Sequence, residues 1–190
     1  MDGTAVTALL QRMAGGERAA ADELYAVLYD ELRERAGRLM AGDRGHTLQP
    51  TAVVHEAWLK IAGGAQDYGS RAHFLGVAAK AMRSVLVDHA RAGRADKRGG
   101  GRERVPLDDA VALFETRVPD LVELDDLLDR LAAIEPELAR IVELRFFAGL
   151  SIGEAARALG ISTATVERGW RTARAWLRVA IDRGPSARDA

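Results

Sequence analysis

Cysteine is missing from this chain altogether, which excludes both a disulfide framework and a thiolate metal site. Proline is scarce, with five in 190 residues, so helices can run long without interruption. Runs of β-branched residues are almost lacking, and apolar residues recur at three- and four-residue spacing rather than alternating. That pattern argues against a strand-rich fold and predicts an all-α protein. No stretch approaches the roughly 18 uninterrupted apolar residues that a membrane span needs. The opening MDGTAVTALL lacks the basic start of a signal peptide. The expectation is a soluble, cytoplasmic protein with no membrane partner. An excess of charge of either sign is lacking as well: 27 Lys and Arg stand against 28 Asp and Glu, a formal net charge of -1.

That near-neutral total hides a segregation. Residues 80 to 104 carry eight basic side chains (Lys80, Arg83, Arg91, Arg94, Lys97, Arg98, Arg102 and Arg104) against Asp88, Asp96 and Glu103. Residues 105 to 145 reverse the sign, with eleven carboxylates against four arginines. Residues 162 to 183 are basic again, five arginines facing Glu167 and Asp182. A single charged run is usually no more than a solvated helix face. Two basic blocks divided by an acidic one fit two DNA-facing surfaces joined by a connector.

Apolar periodicity divides the chain into two helical units. The first covers residues 1 to 98 and holds four helices, each with one apolar face, as in a small bundle. A short helix over residues 4 to 13 closes at Gly15-Gly16. A longer one over residues 17 to 41 carries Leu24, Leu28, Leu32 and Leu39 on one stripe and ends at Gly42-Asp43-Arg44-Gly45. A third starts near Pro50, which suits a first helical position. It buries Val53, Val54, Ala57, Trp58 and Ile61, and Gly63-Gly64 stops it. The fourth starts near Ser70, turns Phe74, Val77, Ala78, Ala81, Val85 and Leu86 inward, and runs into the first basic block. Residues 99 to 122 read as a linker, with Gly99-Gly100-Gly101, Val105-Pro106 and Val118-Pro119, and a short helix near residues 108 to 114 at most. With such a linker the two units can be packed together or independent. The second unit covers residues 123 to 183, and residues 184 to 190 are expected to be a disordered tail. Leu124, Leu127, Leu128 and Leu131 mark one of its helices. Ile141, Val142, Leu144 and Phe146 mark the next, after Pro136.

The most informative stretch is LSIGEAARALGISTATVERGWRTARAWL. Ser151 with Glu154 three residues on is a capping box, so a helix starts there, with Ala155, Ala156 and Leu159 as its inner face. Gly160 offers the left-handed conformation of a tight turn. Ile161 plugs the corner and Ser162 caps the next helix. This is the spacing of a helix-turn-helix. Stepping about 100° per residue gathers Val166, Trp170, Ala173, Leu177 and Ile181 on an inner face. Ala164, Arg168, Arg171, Ala175 and Arg178 fall on the outer one, flanked by Thr165 and Thr172. Small residues let a helix sit deep in a major groove, where arginine can bond bidentately to guanine or hold a phosphate. Thr163, Thr165, Arg168 and Arg171 are the candidates for bases; Arg174 and Arg178 better suit phosphates. A helical hairpin with an ordinary basic surface is the plainer reading of the same residues.

With these motifs in place, the chain resembles the extracytoplasmic-function (ECF) sigma factors of the sigma-70 family. The resemblance is carried by HTLQPTAVVHEAWLKI, by RAHFLGVAAKAMRSVLVDHARAGRADKRGGG and by VELRFFAGLSIGEAARALGISTATVERGWRTARAWL. It implies that the first unit is a sigma region 2 bundle that binds the clamp coiled coil of the largest subunit of core RNA polymerase and melts the minus-10 promoter element. It implies that the second is a sigma region 4 domain that reads the minus-35 element as duplex DNA. It implies no catalysis and no cofactor. Melting needs capture of flipped, single-stranded bases, which aromatics beside a basic helix can supply. Tyr68, Arg71 and His73 at the head of the fourth helix are the candidates, with Lys80, Arg83, Arg91, Arg94, Lys97 and Arg98 continuing along the backbone of the DNA. Phe74 reads better as core than as a stacking platform.

One departure from the family bears on regulation. The polymerase-binding helix of most such factors opens with several carboxylates; here those positions read Gln49-Pro50-Thr51-Ala52, with His55 beside Glu56, the nearest acid. Electrostatic complementarity to a basic clamp is therefore weak. A phosphate on Thr51 would add about -1.5 to -2 charges at a helix N-terminus that favours them. The subgroup resemblance thus points to a Ser/Thr protein kinase acting on Thr51, with Thr47 as second candidate; Thr51 as an ordinary capping or packing residue is the alternative.

Two rival functions fit parts of the same sequence. A two-domain helix-turn-helix transcriptional regulator would bind promoter DNA without core polymerase. An enzyme is less well supported. His55-Glu56 opens like a zinc-protease motif, but Leu59 stands where the second His belongs. The four histidines (His46, His55, His73, His89) are scattered, and the glycine run follows a basic helix rather than a strand.

Overall fold

The structure is a computed structural model, and it describes residues 3–40, 48–62, 68–96 and 121–183. Every regular element among them is helical, as the spacing of apolar residues requires. The first four helices are α1 (Gly3–Ala14), α2 (Arg18–Met40), α3 (Pro50–Ala62) and α4 (Arg71–Asp96). The expected glycine stops at 42–45 and 63–64, the linker up to residue 120, and the tail lie outside the described residues. Val53, Val54, Ala57, Trp58 and Ile61 are the buried residues of α3, the face its sequence marks. A chain of rings fills the middle of this half: Tyr25 meets Trp58 at 4.9 Å between centroids in a tilted contact, while Trp58 meets Phe74 at 6.0 Å and Phe74 meets Tyr68 at 5.2 Å edge-on. Phe74 is fully buried, and such edge-to-face contacts add to the area that the rings remove from water.

The second half consists of α5 (Leu121–Ile134), α6 (Pro136–Val142), a π-helical turn (Glu143–Phe147), α7 (Ile152–Leu159) and α8 (Thr163–Arg183). Leu121 and Val122, placed in the linker on sequence grounds, are helical and buried in α5. Pro136 stands at the first position of α6, where a missing N–H costs nothing. The π-helical turn is a departure from the regular helix that the spacing of Ile141, Val142, Leu144 and Phe146 predicts. The wider turn brings Leu144 and Phe147 inward and leaves Phe146 half-buried.

Of the two arrangements the linker permits, the described residues adopt the packed one. α4 lies against α5, the π-helical turn and α7, so the two apolar interiors run together. Arg35 of α2 is buried at this junction: its Nε donates to the carbonyl of Ala148 at 2.5 Å and its Nη1 pairs with Glu31 at 2.6 Å.

Candidate nucleic-acid interface

The helix-turn-helix forms as its sequence dictates. Ser151 Oγ accepts the Glu154 N–H at 3.2 Å, and the Glu154 carboxylate accepts the Ser151 N–H at 2.8 Å and its hydroxyl at 2.7 Å. These hydrogen bonds from Ser151, side chain first and backbone second, hold the Glu154 carboxyl below its ordinary range. Gly160 takes φ +68°, and the Ile161 N–H donates to the Ala156 carbonyl at 3.1 Å, which closes the turn. Ser162 Oγ accepts the Thr165 N–H at 3.1 Å and caps α8.

α8 is seated by an inner face of Val166, Gly169, Ala173, Leu177, Ala180 and Ile181. Periodicity alone does not mark Gly169. A Cβ there would sit 2.5 Å from Ile141 Cδ1 and 3.2 Å from Leu138 Cδ2 of α6, so its smallness lets these side chains lie against the helix. Trp170 is half-buried under the Arg145 guanidinium at 5.7 Å, and Trp176 lies under Arg130 at 5.9 Å. Arg145 also donates to the Leu150 carbonyl. The two arginines brace the helix from behind through cation–π contacts.

The outer face of α8 presents Thr163, Ala164, Arg168, Arg171 and Ala175, all exposed. Arg174 and Arg178 are half-buried. Thr165 is less available than expected, because its hydroxyl lies 2.8 Å from that of Ser162. Thr172 is tied down too, donating to the Arg168 carbonyl at 3.1 Å. Glu167 is exposed on the same helix, and a reading confined to basic residues misses it. A carboxylate in a major groove can accept from the amino group of cytosine, so its hydrogen-bonding pattern, rather than its charge, is the signal that finds it.

Around α4 the expected minus-10 residues divide into several groups. His73 and Lys80 are exposed. Tyr68 is only 1% exposed, packed edge-on to Phe74; burial pushes its phenol up. It is therefore a core ring in this structure rather than a displayed stacking platform. Arg71 is half-buried and bonded to both Glu31 oxygens at 2.5 and 2.6 Å. Burial disfavours the Glu31 anion, yet the hydrogen bonds and charge of Arg35 and Arg71 outweigh it and lower its pKa. Arg83, expected on phosphates, is 6% exposed. It lies over the Phe147 ring at 5.5 Å and faces Glu143 at 3.3 Å and Asp125 at 3.4 Å. Its place on the flank of α4 that receives the second half accounts for the difference. Arg91 is exposed but paired with Asp125 and Asp126. The side chain of Arg94 lies outside the described residues, as do Lys97 and Arg98.

On α3 the first turn is open. Gln49, Thr51 and His55 are exposed and Glu56 is half-buried, 3.4 Å from the His89 ring. Leu59 is 61% exposed, beside Lys60, which reaches Asp88 at 2.9 Å. Thr47 lies outside the described residues. Among the described residues no three His, Asp or Glu side chains gather as metal ligands, and no helix is long and apolar enough to cross a membrane.

No curated protein matches this chain. The family model for the ECF sigma factors matches residues 3–183, which takes in every α-helix of the described residues and the helix-turn-helix. The chain belongs to the ECF sigma factors, the alternative sigma factors that direct transcription initiation.

Proposed function

We propose that the first four helices dock on the clamp coiled coil of the largest subunit of core RNA polymerase and open the minus-10 element, while α7 and α8 read the minus-35 element. The two units are taken as residues 1 to 98 and 123 to 183, joined by residues 99 to 122. The observation that carries this reading is the outer face of α8: two exposed arginines, Arg168 and Arg171, set between Ala164 and Ala175 on a capped helix. Small residues permit close approach and the guanidinium groups supply base or phosphate contacts. Arg174 and Arg178 extend the phosphate track. Polymerase contact falls to the open first turn of α3, with Gln49, Thr51, His55 and Glu56. His73, Lys80, Arg91 and the residues beyond them serve the minus-10 element.

The test is transcription in vitro with core polymerase, the purified chain and a promoter library. Specific transcripts that depend on both proteins support the reading. A two-domain regulator would instead shift promoter DNA in a gel equally well with and without core enzyme, and that result would overturn it.

Phosphorylation of Thr51 by a Ser/Thr protein kinase is the proposed switch. Its hydroxyl is exposed in the first turn of a helix that has no acid there, where a dianionic phosphate meets the helix dipole. Thr51→Glu should raise activity in cells and Thr51→Ala abolish it. Full activity of Thr51→Ala, with no gain in Thr51→Glu, defeats the switch.

A further inference from the structure

α8 carries arginine at positions 168, 171, 174, 178 and 183 and, before Asp182 near its end, a single carboxylate, Glu167. Glu167 lies four residues into the helix, about 6 Å along the axis from Thr163. That is the stretch of a helix-turn-helix that meets base edges. Stepping about 100° per residue sets Glu167 about 40° round the helix from Arg171 and about 100° from Arg168, at the edge of the face those arginines share. Glu at one position with a basic residue four further on is the order that favours an ion pair along a helix. Even so, among the described residues the exposed Glu167 side chain makes neither an ion pair nor a hydrogen bond. The guanidinium groups of Arg168 and Arg171 are unengaged as well. All three charges stand ready to meet a ligand.

A carboxylate on such a face is unfavourable for plain affinity, because it repels the phosphates of every duplex. That repulsion is offset only where a hydrogen-bond donor stands opposite. In the major groove the donors are the N4 amino group of cytosine and the N6 amino group of adenine. Adenine sets its N7 acceptor beside the amino group, where it repels a carboxylate. Cytosine has no acceptor on its own major-groove edge.

We propose that Glu167 reads one cytosine of the minus-35 element: its carboxylate accepts a hydrogen bond from the N4 amino group and, by repulsion, rejects duplexes that offer none. Selectivity of this kind comes from weakening the wrong partners as much as from holding the right one. The inference rests on the reading of α8 as the helix that enters the minus-35 major groove.

The test is selection of duplexes randomised over the minus-35 element by core polymerase carrying the full-length natural chain, Glu167→Ala or Glu167→Gln. The natural chain should demand cytosine at one position. Glu167→Ala should lose that preference by about 5- to 150-fold, the size of one base-edge contact, keep its ranking at the other positions, and bind unrelated duplexes more tightly. Glu167→Gln should move the preference at the same position towards adenine, whose N6 and N7 suit an amide. Replacing the selected cytosine with 2-pyrimidinone, which lacks the amino group, should cost the natural chain at least about fivefold more than it costs Glu167→Ala. The inference is overturned if all three chains rank every position alike, if the relaxed position is not a cytosine, or if the variants weaken on all duplexes by one factor. Equal cost of 2-pyrimidinone to the natural chain and to Glu167→Ala also overturns it. Failure of the reading of α8 looks different: the natural chain with core polymerase would then show no base preference at any minus-35 position, and Arg168→Ala would change nothing.

Discussion

Removing the Ser151 hydroxyl tests the helix-turn-helix at its root. In Ser151→Ala, α7 loses the acceptor of the Glu154 N–H and the donor to the Glu154 carboxylate. Loss of an N-cap side chain costs about 0.5–2 kcal/mol. One of the bonds here is to an ionised group, and such bonds are roughly twice as strong as neutral ones, so about 1–2 kcal/mol is expected. In a chain of this size that lowers Tm by about 2–4 °C per kcal/mol. The effect depends on pH in a defined sense. The Glu154 carboxyl has a folded pKa below its ordinary value. It therefore contributes stability that is complete above the unfolded value of about 4.3 and is lost as pH falls through the folded one. Glu154→Gln keeps the reach of the capping box but removes the charge, so its stability should lack that share of the acid-side loss. Urea melts followed by the fluorescence of the three tryptophans, at pH 7 and near pH 3, measure both effects. A Ser151→Ala protein within about 0.5 kcal/mol of the natural one, the range of an ordinary surface change, would refute the reasoning. So would a Glu154→Gln protein whose loss of stability in acid matched that of the natural chain.

Other perturbations follow from the same geometry. Gly160→Ala forces a Cβ into a left-handed turn and should cost about 1–2 kcal/mol in the same melts, with a stable variant as the contrary result. Leu177→Ala, at a position 1% exposed, should cost about 2–5 kcal/mol and loosen α8 from α6, seen as loss of amide protection. Arg168→Ala should relax base preference by about 1–3 kcal/mol of discrimination without unfolding the chain; an unchanged ranking of a promoter library removes that residue from the base-reading set.

Features written in consecutive residues are legible in the sequence itself. Ser151 and Glu154 specify their own cap, Gly160 its own turn, and the inner face of α3 matches its periodicity residue for residue, because each depends on neighbours within about one helical turn. What escapes such a reading depends on residues far apart in the chain. Arg83 looks like any basic side chain on a basic helix until α5 and the π-helical turn close over it. Gly76 and Gly169 interrupt good helices for no local reason; Leu144 and Ile141 supply the reason from other elements. Periodicity identifies which face is apolar and cannot say what covers it. The polar outer face of α8 is legible as a surface; the Ser162–Thr165 hydroxyl pair is a local feature too, and it is missed only because the spacing marks the cap without marking the hydroxyl that meets it.

The wide turn at Glu143–Phe147 has a consequence for how this protein can change over generations. Such turns amount to one residue more than a regular helix would use. Excising that residue would restore an uninterrupted helix and rotate everything downstream by about 100°, withdrawing Phe147 from Arg83 and re-aiming α7 and α8. The stretch between Pro136 and Ser151 is thus a ruler of fixed length. Exposed side chains along it can be exchanged at little cost, but an insertion or deletion there must arrive with its compensation or be lost.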